Sequence, residues 1–85
     1  MLGIEFSKKA QNSYKKLKPR LRTRIKSRIE KLKFNPVPNK AKRIQGTKKV
    51  FRMRIGSYRV LYELFLEKKQ ITIMSIDKRS RIYKN

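Results

Sequence analysis

The spacing of apolar residues along this chain switches from two, to three and four, and back to two. Residues 50–66 carry the clearest pattern. Phe51, Met53 and Ile55 alternate with Val50, Arg52 and Arg54, the period-two signature of a strand with two unlike faces. Gly56-Ser57 marks a tight turn. A second strand follows, with Tyr58, Val60, Tyr62 and Leu64 on one face and Arg59, Leu61, Glu63 and Phe65 on the other. So many of its positions are apolar or aromatic that it is predicted to be central and buried on both sides. Residues 2–6 alternate in the same way through Leu2, Ile4 and Phe6. Residues 70–76 set Ile71, Ile73 and Ser75 against Thr72, Met74 and Ile76. Each of these stretches predicts a further strand.

The middle of the first half is helical. Ser7 stands where an N-cap belongs, and residues 8–18 place Ala10, Tyr14 and Leu17 on one stripe. Pro19 suits the first turn of a new helix. Residues 20–32 carry Leu21, Ile25, Ile29 and Leu32 on a second stripe. The two segments are joined too closely for anything but a helical hairpin. Residues 34–39, with two prolines and two asparagines, form an extended link. Residues 40–49 are basic, with Ile44 as a core anchor and Gly46 at a turn. The order is strand, helix, helix, strand, strand, strand. It predicts an α+β fold in one domain over residues 1–85: an antiparallel meander sheet with the helical hairpin packed on one face.

Charge changes the picture. Lys and Arg number 26 against 5 Asp and Glu, a formal +21 with a pI near 11.2. Self-repulsion on that scale opposes compaction, and a polyanion or an acidic protein would relieve it. Between Lys8 and Lys33 there are twelve cations and one acid, Glu30. A merely solvated helix face would mix both signs to gain i,i+4 pairs. Cysteine and histidine are absent, which excludes disulfides, thiol catalysis, histidine acid–base chemistry and the common zinc sites. No cofactor and no metal are expected. Residues 60–66 form the longest apolar run, too short for a bilayer and interrupted by Glu63. Glu5 and a lysine pair precede any signal-like apolar stretch, so a cytoplasmic location is expected.

Arg59 is the anomaly in the second strand. A guanidinium keeps its charge, and burying one unpaired is expensive. Its place among apolar neighbours predicts an opening onto a cleft for an anion. The antiparallel pairing puts Arg52 and Arg54 on the same face, and the basic ending could bring Arg79, Arg81 and Tyr83 to it. Grouped guanidiniums with one phenol suit a phosphodiester. RNA carries its own nucleophile, the 2′-hydroxyl, so no metal is required. The protein must align that hydroxyl, help remove its proton and neutralise the transition state. Arginine forks match phosphate oxygens but cannot act as ordinary bases. Tyr83 is then the best proton acceptor, provided neighbouring cations lower its pKa from about 10.

The run Phe51-Arg52-Met53-Arg54-Ile55-Gly56-Ser57-Tyr58-Arg59-Val60-Leu61-Tyr62, with the ending Lys78-Arg79-Ser80-Arg81-Ile82-Tyr83, resembles the RelE family of toxin–antitoxin toxins. The resemblance extends to length, element order, the basic hairpin and the ending. It implies an mRNA interferase that enters the ribosomal A site and leaves a 2′,3′-cyclic phosphate and a 5′-hydroxyl. It also implies a RelB-like antitoxin in a heterotetramer or larger complex. By resemblance, Arg59 contacts the scissile phosphate, Arg79 stabilises the transition state or assists the leaving group, and Tyr83 stacks on or deprotonates the substrate. Arg52 and Arg54 fall where some members carry lysines, which confines them to charge stabilisation. Lys78, Arg81, Lys48, Lys49, Arg20, Arg22 and Lys26 are candidates for binding the backbone of mRNA or of small-subunit ribosomal RNA.

Structural readings stand beside these. Arg59 could pair with Glu63 or another acid, Arg52 and Arg54 could guard an exposed edge, and Tyr83 could pack on the sheet. Tyr58 and Tyr62 belong to the helix-facing core by the alternation. A non-catalytic RNA- or ribosome-binding module, or an inactive RelE-like co-repressor, would present the same basic surface.

Overall fold

A computed structural model of the chain describes residues 1–44, 46 and 49–78. Its elements are β1 (Gly3–Phe6), α1 (Lys8–Lys15), α2 (Pro19–Lys31), β2 (Ala41–Arg43), β3 (Val50–Ile55), β4 (Tyr58–Phe65) and β5 (Gln70–Lys78). The strands form one five-stranded sheet in the order β1-β5-β4-β3-β2, with β4 in the centre as the sequence predicts.

Local chemistry explains the boundaries. Ser7 caps α1, its Oγ accepting from the Ala10 amide at 3.0 Å. Lys18 is extended, and Pro19 opens α2 at a position where a missing N–H costs nothing. The helices are thus shorter than the stripes suggested, with residues 16–18 as the link. Gly56, at φ 62°, makes the turn between β3 and β4. Its alpha hydrogens face the Arg24 guanidinium of α2: a Cβ there would sit 3.2 Å from Nη1.

Both helix stripes bury against one sheet face. Ala10, Leu17, Ile25, Ile29 and Leu32 pack with Met53, Ile55, Val60, Tyr62, Leu64, Ile71, Ile73 and Ile76. Tyr62 is fully buried there, stacked on Phe51 with ring centroids 5.6 Å apart. Its hydroxyl donates to the Pro36 carbonyl at 2.6 Å, fastening the link after α2 to the core. Tyr58 joins the same side, half-buried.

The sheet departs from a pure meander. β1 runs parallel to β5, at the edge, because the helical hairpin carries the chain across the sheet before the antiparallel strands begin. Residues 41–43, read from sequence as part of a basic connection, pair with β3 as a short edge strand. Their composition, Ala-Lys-Arg, has no strand signature; the ladder with β3 makes them one. On β4, the face away from the helices is only partly covered: Leu61, Glu63 and Phe65 are half-buried.

β5 also breaks strict alternation. Leu61 pairs with Ser75 but Tyr62 with Ile73, so Met74 is an extra residue in the ladder. Its carbonyl accepts from Ser7 Oγ at 2.8 Å. Beyond this bulge the faces exchange. Ile76, not Ser75, joins Ile71 and Ile73 in the helix-facing core, opposite Val60.

Candidate functional site

The cations of the outer sheet face stand in rows. Arg54 lies directly across from Arg59, and Arg52 across from Leu61. β2 sets Lys42 opposite Arg52, and the same register continued by one residue sets Lys40 opposite Arg54. Residues directly opposed in a ladder share a face. One row therefore reads Lys40, Arg54, Arg59, and its neighbour Lys42, Arg52, Leu61. Lys40, Lys42, Arg52 and Arg54 line a hollow of about 130 Å³.

Arg59 is 2% exposed, so the sequence reading of a guanidinium held within the central strand is correct. Among the described residues its Nε is a buried nitrogen that makes no hydrogen bond, while the residue is engaged elsewhere. The acid beside it is not Glu63. Asp77 on β5 is its direct partner in the ladder, half-buried. Sequence reasoning gave Asp77 no role, because alternation without the Met74 bulge places it on the helix side. The bulge turns it to the arginine face.

Other predicted residues lie apart from this group. Lys78 shares a row with Tyr58 and Ile55, on the helix-bearing side at the end of the sheet. Lys49 precedes Val50, roughly 17 Å along β3 from Arg54 at ~3.3 Å per residue. Arg20, Arg22 and Lys26 belong to α2, in the layer behind the sheet. There Arg22 and Lys26 border a groove of about 740 Å³ with Tyr14, Glu30 and the exposed Phe34. Glu30 accepts from Lys33 at 2.8 Å, and that hydrogen bond holds its carboxyl below the usual range. Arg79, Arg81, Tyr83 and Lys48 lie outside the described residues. Among the described residues no group of three or more acidic side chains is placed to hold a metal ion.

Comparison with known proteins places the chain. A family model described as the ParE toxin of the type II toxin–antitoxin system parDE matches residues 4–83. The chain belongs to this toxin family. Within it, the likeness is to RelE. A protein of Methanocaldococcus jannaschii assigned the name toxin RelE1 is 36% identical over 86 residues, covering 98% of this chain and 96% of the relative. The RelE–RelB complex of Pyrococcus horikoshii contains a chain that superposes with a TM-score of 0.83 at 25% identity, covering 94% of this chain and 97% of that one. A chain of the Escherichia coli RelBE toxin–antitoxin complex gives 0.82 at 21% identity, covering 92% and 96%, a likeness of fold. The RelE-like identity and α+β architecture expected from the sequence are both correct. This is a RelE-like toxin of a toxin–antitoxin system.

Proposed function

We propose that this toxin is a metal-independent endoribonuclease that cuts mRNA in the ribosomal A site and is restrained by a RelB-like antitoxin. The observation that carries the reading is the juxtaposition of Arg54 and Arg59 in one row of the open sheet face, with Arg52 in the next. In the reaction, the 2′-hydroxyl attacks the adjacent phosphorus as its proton leaves. The bond from phosphorus to the 5′-oxygen then breaks, giving a 2′,3′-cyclic phosphate and, once that oxygen is protonated, a 5′-hydroxyl. Arg59, fixed by burial, offers a guanidinium that needs no reorganisation as charge grows on the phosphoryl oxygens. Arg52 and Arg54 add charge from the flank and cannot take the proton. Tyr83 is assigned as proton acceptor and Arg79 as the group that assists the leaving oxygen.

The remaining cations fit a ribosomal partner. Arg20, Arg22 and Lys26 on the helix layer, with Lys49 and Lys78 at the sheet ends, present charge away from the cutting face to structured RNA. Lys48 and Arg81 are assigned to the same backbone binding. The antitoxin partner follows from the RelE–RelB complexes of the similar chains, with a heterotetramer or larger assembly as the expected form and the cytoplasm as the expected site of action.

The test is expression of the toxin alone. Growth arrest is expected, with transcripts cut in phase with codons and fragments ending in a 2′,3′-cyclic phosphate. Arg59→Ala should reduce cutting by about 10²-fold or more, the usual cost of one transition-state charge interaction, with an unchanged circular dichroism spectrum. Intact transcripts in cells holding folded wild-type toxin would sink the reading. A non-catalytic RNA-binding module instead predicts that Tyr83→Phe is silent.

A further inference from the structure

The hollow on the outer sheet face contains more charge than the cutting reaction uses. Arg52 and Arg54 come from β3, but Lys40 and Lys42 come from the edge strand beside it. Lysine on an edge strand is commonly a guard against aggregation. That accounts for an exposed Lys42 by itself. It does not account for Arg52 and Arg54 one strand further in, directly opposed to the lysines. Like charges facing each other across a ladder repel, and sheets ordinarily avoid the arrangement. Among the described residues, every side chain lining the hollow is a cation.

The placement indicates what relieves the repulsion. Strands lie about 4.8 Å apart, so the row from Arg59 through Arg54 to Lys40 crosses about 10 Å of sheet. That distance is one to two steps of an RNA backbone. We propose that the hollow lined by Lys40, Lys42, Arg52 and Arg54 is a phosphate subsite that holds the RNA backbone one to two nucleotides from the bond at Arg59. The strand of RNA then runs across the sheet, from β4 toward the β2 edge, rather than along the strands. Lys40 and Lys42 hold the backbone and touch no reacting atom. The proposal rests on the RNA-cleaving reading for the nature of its ligand.

The experiment measures binding of the full-length toxin to a 2′-O-methyl oligoribonucleotide, which cannot be cut. Fluorescence anisotropy is followed against salt. In Lys40→Gln/Lys42→Gln the slope of log affinity against log salt should fall by about two, near one for each phosphate deprived of its lysine. Lys40→Arg/Lys42→Arg should keep the wild-type slope. Replacing one linkage at a time by a neutral methylphosphonate should reveal a linkage that matters to the wild type and not to the glutamine variant. A circular dichroism spectrum and urea midpoint like the wild type's establish that the variant is folded. An unchanged slope, or the same linkage profile in both proteins, overturns the subsite. So does a variant that keeps its RNA affinity but loses affinity for poly-glutamate, which would make the hollow a seat for an acidic peptide. The two readings fail separately: cutting in cells with an unchanged slope removes the subsite alone, and a reduced slope without cutting removes the nuclease alone.

Discussion

Arg59 and Tyr62 lie three positions apart on β4, and each shows how the central strand handles a polar atom. Arg59 keeps its charge inside the sheet next to Asp77, while Tyr62 keeps its proton. Burial pushes the Tyr62 phenol up to about 12, from the ordinary value of 10.0. The folded state therefore holds this proton more tightly than the unfolded chain does. Its contribution to stability is complete below about pH 10 and is lost as pH rises toward 12, an effect of roughly 2–3 kcal/mol. Tyr62→Phe removes the hydrogen bond to Pro36 and should cost about 1 kcal/mol at neutral pH. Urea titrations of both proteins should show that gap closing, then reversing, above about pH 10. The comparison cancels the lysine titrations common to both chains.

At the scale of elements, the tight turn between β3 and β4 joins the two strands that carry the arginines. Gly56 there is left-handed, and the Arg24 guanidinium rests against it. Gly56→Ala should lower stability by about 1 kcal/mol for the left-handed backbone, and more if Arg24 cannot move aside. Gly56→Asn should cost less, since asparagine tolerates that conformation. The urea midpoint distinguishes them. Much of the element plan was legible in the sequence. The stripes of Ala10, Leu17, Ile25, Ile29 and Leu32, the turn at Gly56 and the cap at Ser7 all follow from local chemistry. The face of Arg52, Arg54 and Arg59 follows from alternation through an unbroken hairpin. What was not legible depended on distant partners. β2 is a strand only because β3 pairs with it. β1 runs parallel to β5 because of where the helices deliver the chain. The role of Asp77 depends on an extra residue in β5 that no period-two count reveals.

At the scale of the whole molecule, the formal +21 is divided between two surfaces. One is the open sheet face; the other is the helix layer on its far side, where Arg22 and Lys26 border a separate groove. Among the described residues no helix is long and apolar enough to cross a membrane. Salt should act on this molecule in opposite senses. Screening the self-repulsion should raise the melting temperature of the free toxin by a few degrees, as a gain of about 0.5–1 kcal/mol does for a chain of this size. The same salt should weaken RNA binding by about 10³–10⁵ between about 50 and 200 mM if roughly 6–10 phosphates are engaged. Differential scanning fluorimetry and anisotropy on one preparation would record both. A melting temperature that falls with salt would show that the cations are already balanced within the fold.

The extra residue at Met74 gives the chain an unusual point of vulnerability. Downstream of it, which side chains meet oil and which meet water is decided by parity alone. Losing one amino acid there would drive a carboxylate into the core and an isoleucine out of it, and would strip Arg59 of its neighbour. A lineage could thus disarm this toxin by a single three-nucleotide deletion, with every arginine codon left intact.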